Sequence, residues 1–182
     1  MSINTNGLSA LNLKNATKED IKNYFLSSYM LYKKLFEILK DKKYMYEQAN
    51  LLRHPLIFYY GHTATFFANK MLLAKLIDKT INAKLESMFA IGVDEMSWDS
   101  INNHNYKWPS VNEVQDYRNE VKNTVLQVID NIELVYPISW DSPIWCILMG
   151  IEHEKIHLET SSVLLRELDL KFIQEHKDFM PY

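Results

Sequence analysis

Chain breakers are scarce in this sequence: four glycines and five prolines are spread over 182 residues. An all-β sandwich or barrel needs a turn signal every ~8–12 residues, so this chain is expected to build long helices instead. Hydrophobic residues make up 47% and charged residues 24%, a globular mix that sets aside disordered and fibrous classes. The length fits one domain, or one piece of a larger protein, at roughly 150 residues per domain. Twenty Lys and Arg against 23 Asp and Glu leave a net charge of −3, without the basic excess that phosphate contacts require, so no nucleic-acid partner is expected. No apolar run approaches the ~18–20 residues that cross a bilayer. Met1 to Lys14 also lacks the basic start and apolar stretch of a leader peptide. The lone Cys146 cannot make an internal disulfide and lies in the apolar run from Ile144 to Ile151, which reads as a small core residue in a reducing, cytoplasmic protein with no membrane partner.

Hydrophobic spacing predicts four helices. The first starts at Thr17, with Asp20 three residues on as a capping partner, and carries Ile21, Tyr24, Phe25, Ser28, Tyr32, Leu35 and Leu39 on one stripe. Pro55 is placed as the first helical residue of the second, because its missing N–H has no intrahelical partner to lose. That helix groups Ile57, Phe58, His62, Thr65, Phe66, Asn69, Leu72, Leu73 and Leu76 on one face. Gly92 to Pro109 has no sustained period and holds two of the four tryptophans, which predicts a long, ordered connection that packs Trp98 or Trp108 on the bundle. Ser110 with Glu113 then caps a third helix with the stripe Val114, Tyr117, Val121, Val125, Val128, Ile132. Ser142-Pro143 opens a fourth, Ile144 to about Leu168, whose first turns are apolar nearly all round and predict a central position.

The chemistry concentrates in the fourth helix. His153 and His157 stand four residues apart, so both project from one helix face and can reach a single metal ion. Such pairs also arise by chance on solvated faces, and a third ligand is needed. His62 is the candidate, on the apolar face of the second helix. Gly61 adjoins it and Gly150 lies one turn before His153. A glycine inside a helix costs about 1 kcal/mol relative to alanine, and close approach of two helices around a metal is one reason to keep it. His54, His104 and His176 read as surface or loop residues.

Two other readings use the same residues. His153-Glu154-Lys155-Ile156-His157 has the form of the zinc-protease motif, with Glu154 as general base, but Thr160 and Val163 stand where one extended version needs glycine and histidine. Glu154 and His157 satisfy the Glu-x-x-His of di-iron bundles, yet no second copy is present. Three neutral imidazoles without an assured carboxylate favour one mononuclear divalent site.

Several segments together resemble a known family. They are RHPLIFYYGHT from Arg53, GVDEMSWDS from Gly92, WPSVNEVQDYR from Trp108 and WDSPIWCILMGIEHEKIHLETSS from Trp140. In order and content, from Leu51 to Leu168, they are similar to the N-terminal DinB-like domain of the iron-dependent sulfoxide synthases of thiol-histidine biosynthesis, and most of all to the 5-histidylcysteine sulfoxide synthases of ovothiol biosynthesis. The resemblance implies a DinB-like four-helix bundle in which His62, His153 and His157 ligate a non-haem Fe(II). It further implies O2, cysteine and histidine as substrates. Three histidines on one face of an octahedral ion leave three positions open, enough for a thiolate, an imidazole and O2. Zinc or another divalent ion also suits such a site.

The family's members continue into a formylglycine-generating-enzyme-like domain that supplies much of the substrate pocket and a catalytic tyrosine. None of the 11 tyrosines here is assigned that role by motif, so no catalytic residue is assigned. The expected division is an N-terminal extension over 1–16, the bundle over 17–170, and a tail over 171–182 leading to that downstream domain. The competing expectation is a stand-alone, non-catalytic metal-binding or interaction bundle.

Overall fold

A computed structural model describes residues 10–90 and 107–179. Among these the chain is helical: α1 (Lys18–Leu35), α2 (Leu56–Leu73), α3 (Ala83–Ala90), α4 (Val111–Asn131) and α5 (Trp145–Glu167), with short 3₁₀ turns at Phe36–Ile38 and Lys42–Tyr46. The four long helices form the predicted bundle. Each packs on two others in the cyclic order α1, α5, α2, α4, so α4 and α5 face each other across the core diagonal. The short α3 packs on α2 and adds to the four expected helices; Leu85 and Phe89 are its only fully buried apolar residues, too few to set up a helical period in the sequence.

Local chemistry sets the helix ends. Thr17 Oγ1 accepts from the Asp20 amide at 3.1 Å while the Asp20 carboxylate accepts from the Thr17 amide at 2.8 Å, a complete capping box. Pro55 is the N-cap of α2 and not its first helical residue; its ψ of 159° is extended. At the other end Lys75 takes a left-handed φ of 58°, and the Leu76 amide reaches back to the Met71 carbonyl at 2.9 Å. This closure stops α2 at Leu73, which is 77% exposed and leaves the expected core stripe. Ser110 Oγ accepts from the Glu113 amide at 3.1 Å and starts α4 as expected. Ser142 is not the cap of α5: its hydroxyl accepts from the Ser139 amide at 3.0 Å, and Ile144 takes the cap position.

The core runs through all four long helices. The central helix is α2, buried without a break from Leu56 to Thr65, whereas α5 exposes Met149, Glu152 and Ile156. The expectation that the last helix is central is therefore corrected: its apolar first two turns include Met149, which faces outward. After α5 the chain returns beside the segment that follows α1. The Gln174 amide donates to the Ile38 carbonyl at 2.8 Å, and the Phe172 and Tyr44 rings meet at 4.7 Å. Most of the Gly92–Pro109 connection, with Trp98 and His104, lies outside the described residues. Trp108 packs on the bundle as expected, its ring 6.4 Å from Phe89 and 6.2 Å from Phe58.

Candidate metal centre

The contact between α2 and α5 brings together three histidines that are 91 and 4 residues apart in sequence. One ring nitrogen from each of His62, His153 and His157 lies within 4.8 Å of the others. His62 Nε2 and His153 Nε2 are 3.3 Å apart, and the ring centroids of His157 lie 4.7 Å from His62 and 4.5 Å from His153. Two nitrogens each ~2.1 Å from a common ion stand roughly 3.0–3.4 Å apart at angles between octahedral and tetrahedral, so the His62–His153 spacing fits a shared ion. Among the described residues no Asp, Glu or Cys joins this cluster.

Two of the three rings, those of His62 and His153, are held by neighbours. His62 Nδ1 lies 2.8 Å from the Phe89 carbonyl at the end of α3. A carbonyl only accepts, so Nδ1 carries the proton and Nε2 presents its lone pair to the other histidines. His62 also stacks on Phe58 at 5.4 Å, and His153 lies flat on Phe66 at 3.8 Å with 10° between the planes. The Nδ1 atoms of His153 and His157 are buried with no hydrogen-bond partner among the described residues. Burial, with the neighbouring His157 and His62, pushes the His153 imidazole down to about 3. Burial and His62 push His157 down to about 4. Both are therefore neutral near pH 7, the protonation state a metal ligand needs. The donor set fits one divalent ion of the class that imidazole prefers.

The glycines serve a purpose different from the one expected. A Cβ on Gly61 would sit 2.4 Å from the Phe89 ring, and one on Gly150 would sit 2.4 Å from the Phe67 ring. Both make room for aromatic side chains. Gly61 bears on the site indirectly, because the residue it admits supplies the carbonyl that orients His62.

Glu154 faces away from the histidines. It is fully buried, and its Oε1 accepts from Arg118 Nη2 at 3.1 Å and from Thr63 Oγ1 at 3.2 Å, while Oε2 accepts from Ser28 Oγ at 3.4 Å. Burial pushes its carboxyl up from the ordinary value, opposed first by Arg118 and then by its hydrogen bonds. All three neighbours act as donors, which marks the group as a carboxylate paired with the guanidinium. Neither the protease base nor a di-iron ligand is available from a side chain so placed. Ser28 lies on the expected core stripe of α1, whereas nothing local in the sequence marks Arg118 or Thr63 for this role. A charged residue beside Tyr117 on an amphipathic helix reads as solvated, yet Arg118 is 2% exposed.

Of the other histidines, His54 does lie in a loop but is buried, its ring 4.2 Å from Phe58 and 6.0 Å from Trp108. The surface expectation is thus corrected for His54, whose ring is covered by Phe58 and Trp108 while Leu51, Leu52 and Arg53 before it stay exposed. His176 lies in a loop with Nε2 3.5 Å from the Glu37 carboxylate. Cys146 is buried in the core as expected.

The model of the DinB superfamily matches residues 24–161, a stretch that includes all three clustered histidines together with Thr63, Arg118 and Glu154. No curated protein matches the chain.

Proposed function

The chain belongs to the DinB superfamily, and we propose that it is the iron-binding domain of an O2-dependent sulfoxide synthase joining cysteine to the imidazole ring of histidine. The observation that carries this reading is the meeting of His62 with His153 and His157 as three imidazoles with, among the described residues, no carboxylate beside them. The similarity of the segments around Arg53, Trp108 and Trp140 to the sulfoxide synthases supports it. Fe(II) held by His62, His153 and His157 would supply oxygen activation and could accept a thiolate, an imidazole and O2 as further ligands.

The chain's own residues prepare that site. His62 is fixed in one tautomer by the Phe89 carbonyl, and Phe66 and Phe58 limit the rotation of His153 and His62. Their ring faces also give the site apolar walls, which exclude water and strengthen electrostatic interactions inside. Arg118 and Glu154, which could otherwise bind a substrate's charged groups, are spent on each other in the core. Most contacts to the two amino-acid substrates therefore come from another domain, as in the family that the sequence resembles.

The test is anaerobic reconstitution with Fe(II), followed by O2, cysteine and histidine, with oxygen uptake and the coupled sulfoxide both measured. The chain is assayed alone and fused to a formylglycine-generating-enzyme-like domain. One Fe(II) per chain is expected, with little turnover alone and coupled product in the fusion. Iron bound without coupled product in either form would overturn the synthase reading. That outcome favours the second reading, a non-catalytic metal-binding bundle, which the inward-facing Arg118–Glu154 pair also fits.

A further inference from the structure

We infer that Thr63, Arg118 and Glu154 form a clamp that sets the distance between His62 and His153; the inference rests on the metal reading above. The two helices contribute adjacent pairs, His62 and Thr63 from α2, His153 and Glu154 from α5. While the histidine Nε2 atoms lie 3.3 Å apart, the very next residues bond across the same crossing, Thr63 Oγ1 to Glu154 Oε1 at 3.2 Å. One step along a helix turns the side chain by ~100°, so the histidine contact and the Thr63–Glu154 contact secure two sides of one crossing.

Arg118 closes the clamp from α4. Its Nη1 donates to the Tyr60 carbonyl at 2.7 Å and to Thr63 Oγ1 at 2.8 Å, both on α2, and its Nη2 donates to Glu154 on α5 at 3.1 Å. One rigid guanidinium therefore grips both helices that carry the histidines. It is itself confined among aromatic rings, 4.2 Å from the Tyr29 centroid and 4.6 Å from that of Tyr60. Apolar side chains at a helix crossing tolerate sliding, whereas hydrogen bonds lose strength steeply with distance and angle. A buried ion pair seldom stabilises a fold more than apolar residues of the same volume, and fixing register is its best-attested use. Here the register so fixed is that of two ligand-bearing helices. Thr63, Arg118 and Glu154 are thus positioning residues that act through the histidines.

The experiment titrates Co(II) alone into the full chain and reads its affinity and visible absorption, with a denaturation curve for every variant. Thr63→Val keeps the side chain's shape and removes its hydroxyl; the expected result is a ~10–100-fold loss of affinity with an altered cobalt spectrum. Thr63→Ser should restore both. The double variant Arg118→Met with Glu154→Leu replaces the pair by apolar bulk and should likewise weaken binding. Val125→Ala, in the α4 core, should lower stability without moving the spectrum. Wild-type affinity and spectrum in Thr63→Val and in the double variant would overturn the clamp. So would a loss that merely follows the folded fraction of each variant. Absence of Co(II) binding by the wild-type chain would instead sink the metal reading, and the clamp with it.

Discussion

His62 donates its Nδ1 proton to the carbonyl of Phe89, and Gly61, the residue just before His62, leaves the space that the Phe89 ring fills. Substituting Gly61 by alanine should therefore disturb both packing and ligand. The added methyl gains ~1 kcal/mol of helix propensity but collides with a ring at 2.4 Å, and overpacking costs typically ~1–3 kcal/mol. A net loss of ~0–2 kcal/mol in urea unfolding is expected, with weaker metal binding. Gly150→Ala, which meets Phe67, should show the first effect with a smaller second one. Equal metal affinity in wild type and Gly61→Ala would separate Phe89 from the site.

Metal addition should stabilise the chain. At a free ion concentration about 100 times Kd, the gain is ~2.7 kcal/mol if the unfolded chain does not bind. Thermal melts with Zn(II) and then with excess chelator check this, and the shift should vanish in His62→Ala, His153→Ala and His157→Ala. A shift retained in His62→Ala would reduce the centre to the helical pair.

Removing one partner of the buried ion pair should be costly. Glu154→Ala leaves Arg118 charged and unpaired in the core, with an expected loss of ~3–5 kcal/mol. Replacing both partners by apolar side chains should recover most of it. Chemical denaturation of the single and double variants decides; a single variant within ~1 kcal/mol of wild type would show that water reaches Arg118.

Cys146 should react slowly with thiol reagents. Burial pushes its thiol up to about 11, so at pH 8 only about one molecule in a thousand carries the reactive thiolate. The rate should keep climbing with pH beyond the ordinary thiol range, as long as the fold persists. A plateau near pH 9 would show an ordinary, accessible thiol.

The parts of the fold that were legible in sequence are those with a local cause. Thr17 and Asp20 cap each other three residues apart, and the stripe from Val114 to Val128 keeps one face of α4 in the core. His153 and His157 share a face by spacing alone. The illegible parts depend on partners distant in sequence. Eight residues with two fully buried apolar side chains gave no period by which to find α3, and hence no hint of the Phe89 carbonyl. Arg118 reads as a surface charge until Glu154 and Thr63 arrive from two other helices. Gly61 and Gly150 signalled close packing, but what packs there, Phe89 and Phe67, is set by tertiary contacts.

The 91-position separation of His62 from His153 also bears on how the chain would acquire a metal. The His153–His157 pair is a local ligand, available as soon as one stretch of α5 turns helical, whereas His62 reaches the pair only when α2 and α5 dock across a long loop of chain. Closing such a loop is the slow, entropically opposed part of folding. An ion present early would be held first by two imidazoles and gain the third only at docking. Binding to the unfinished chain then subtracts from the stabilisation the finished site can give. Arrival of the third imidazole at the ion, and not occupancy itself, would thus report whether α2 and α5 have met, and refolding rates should depend on metal concentration most strongly where the two-histidine form is half saturated.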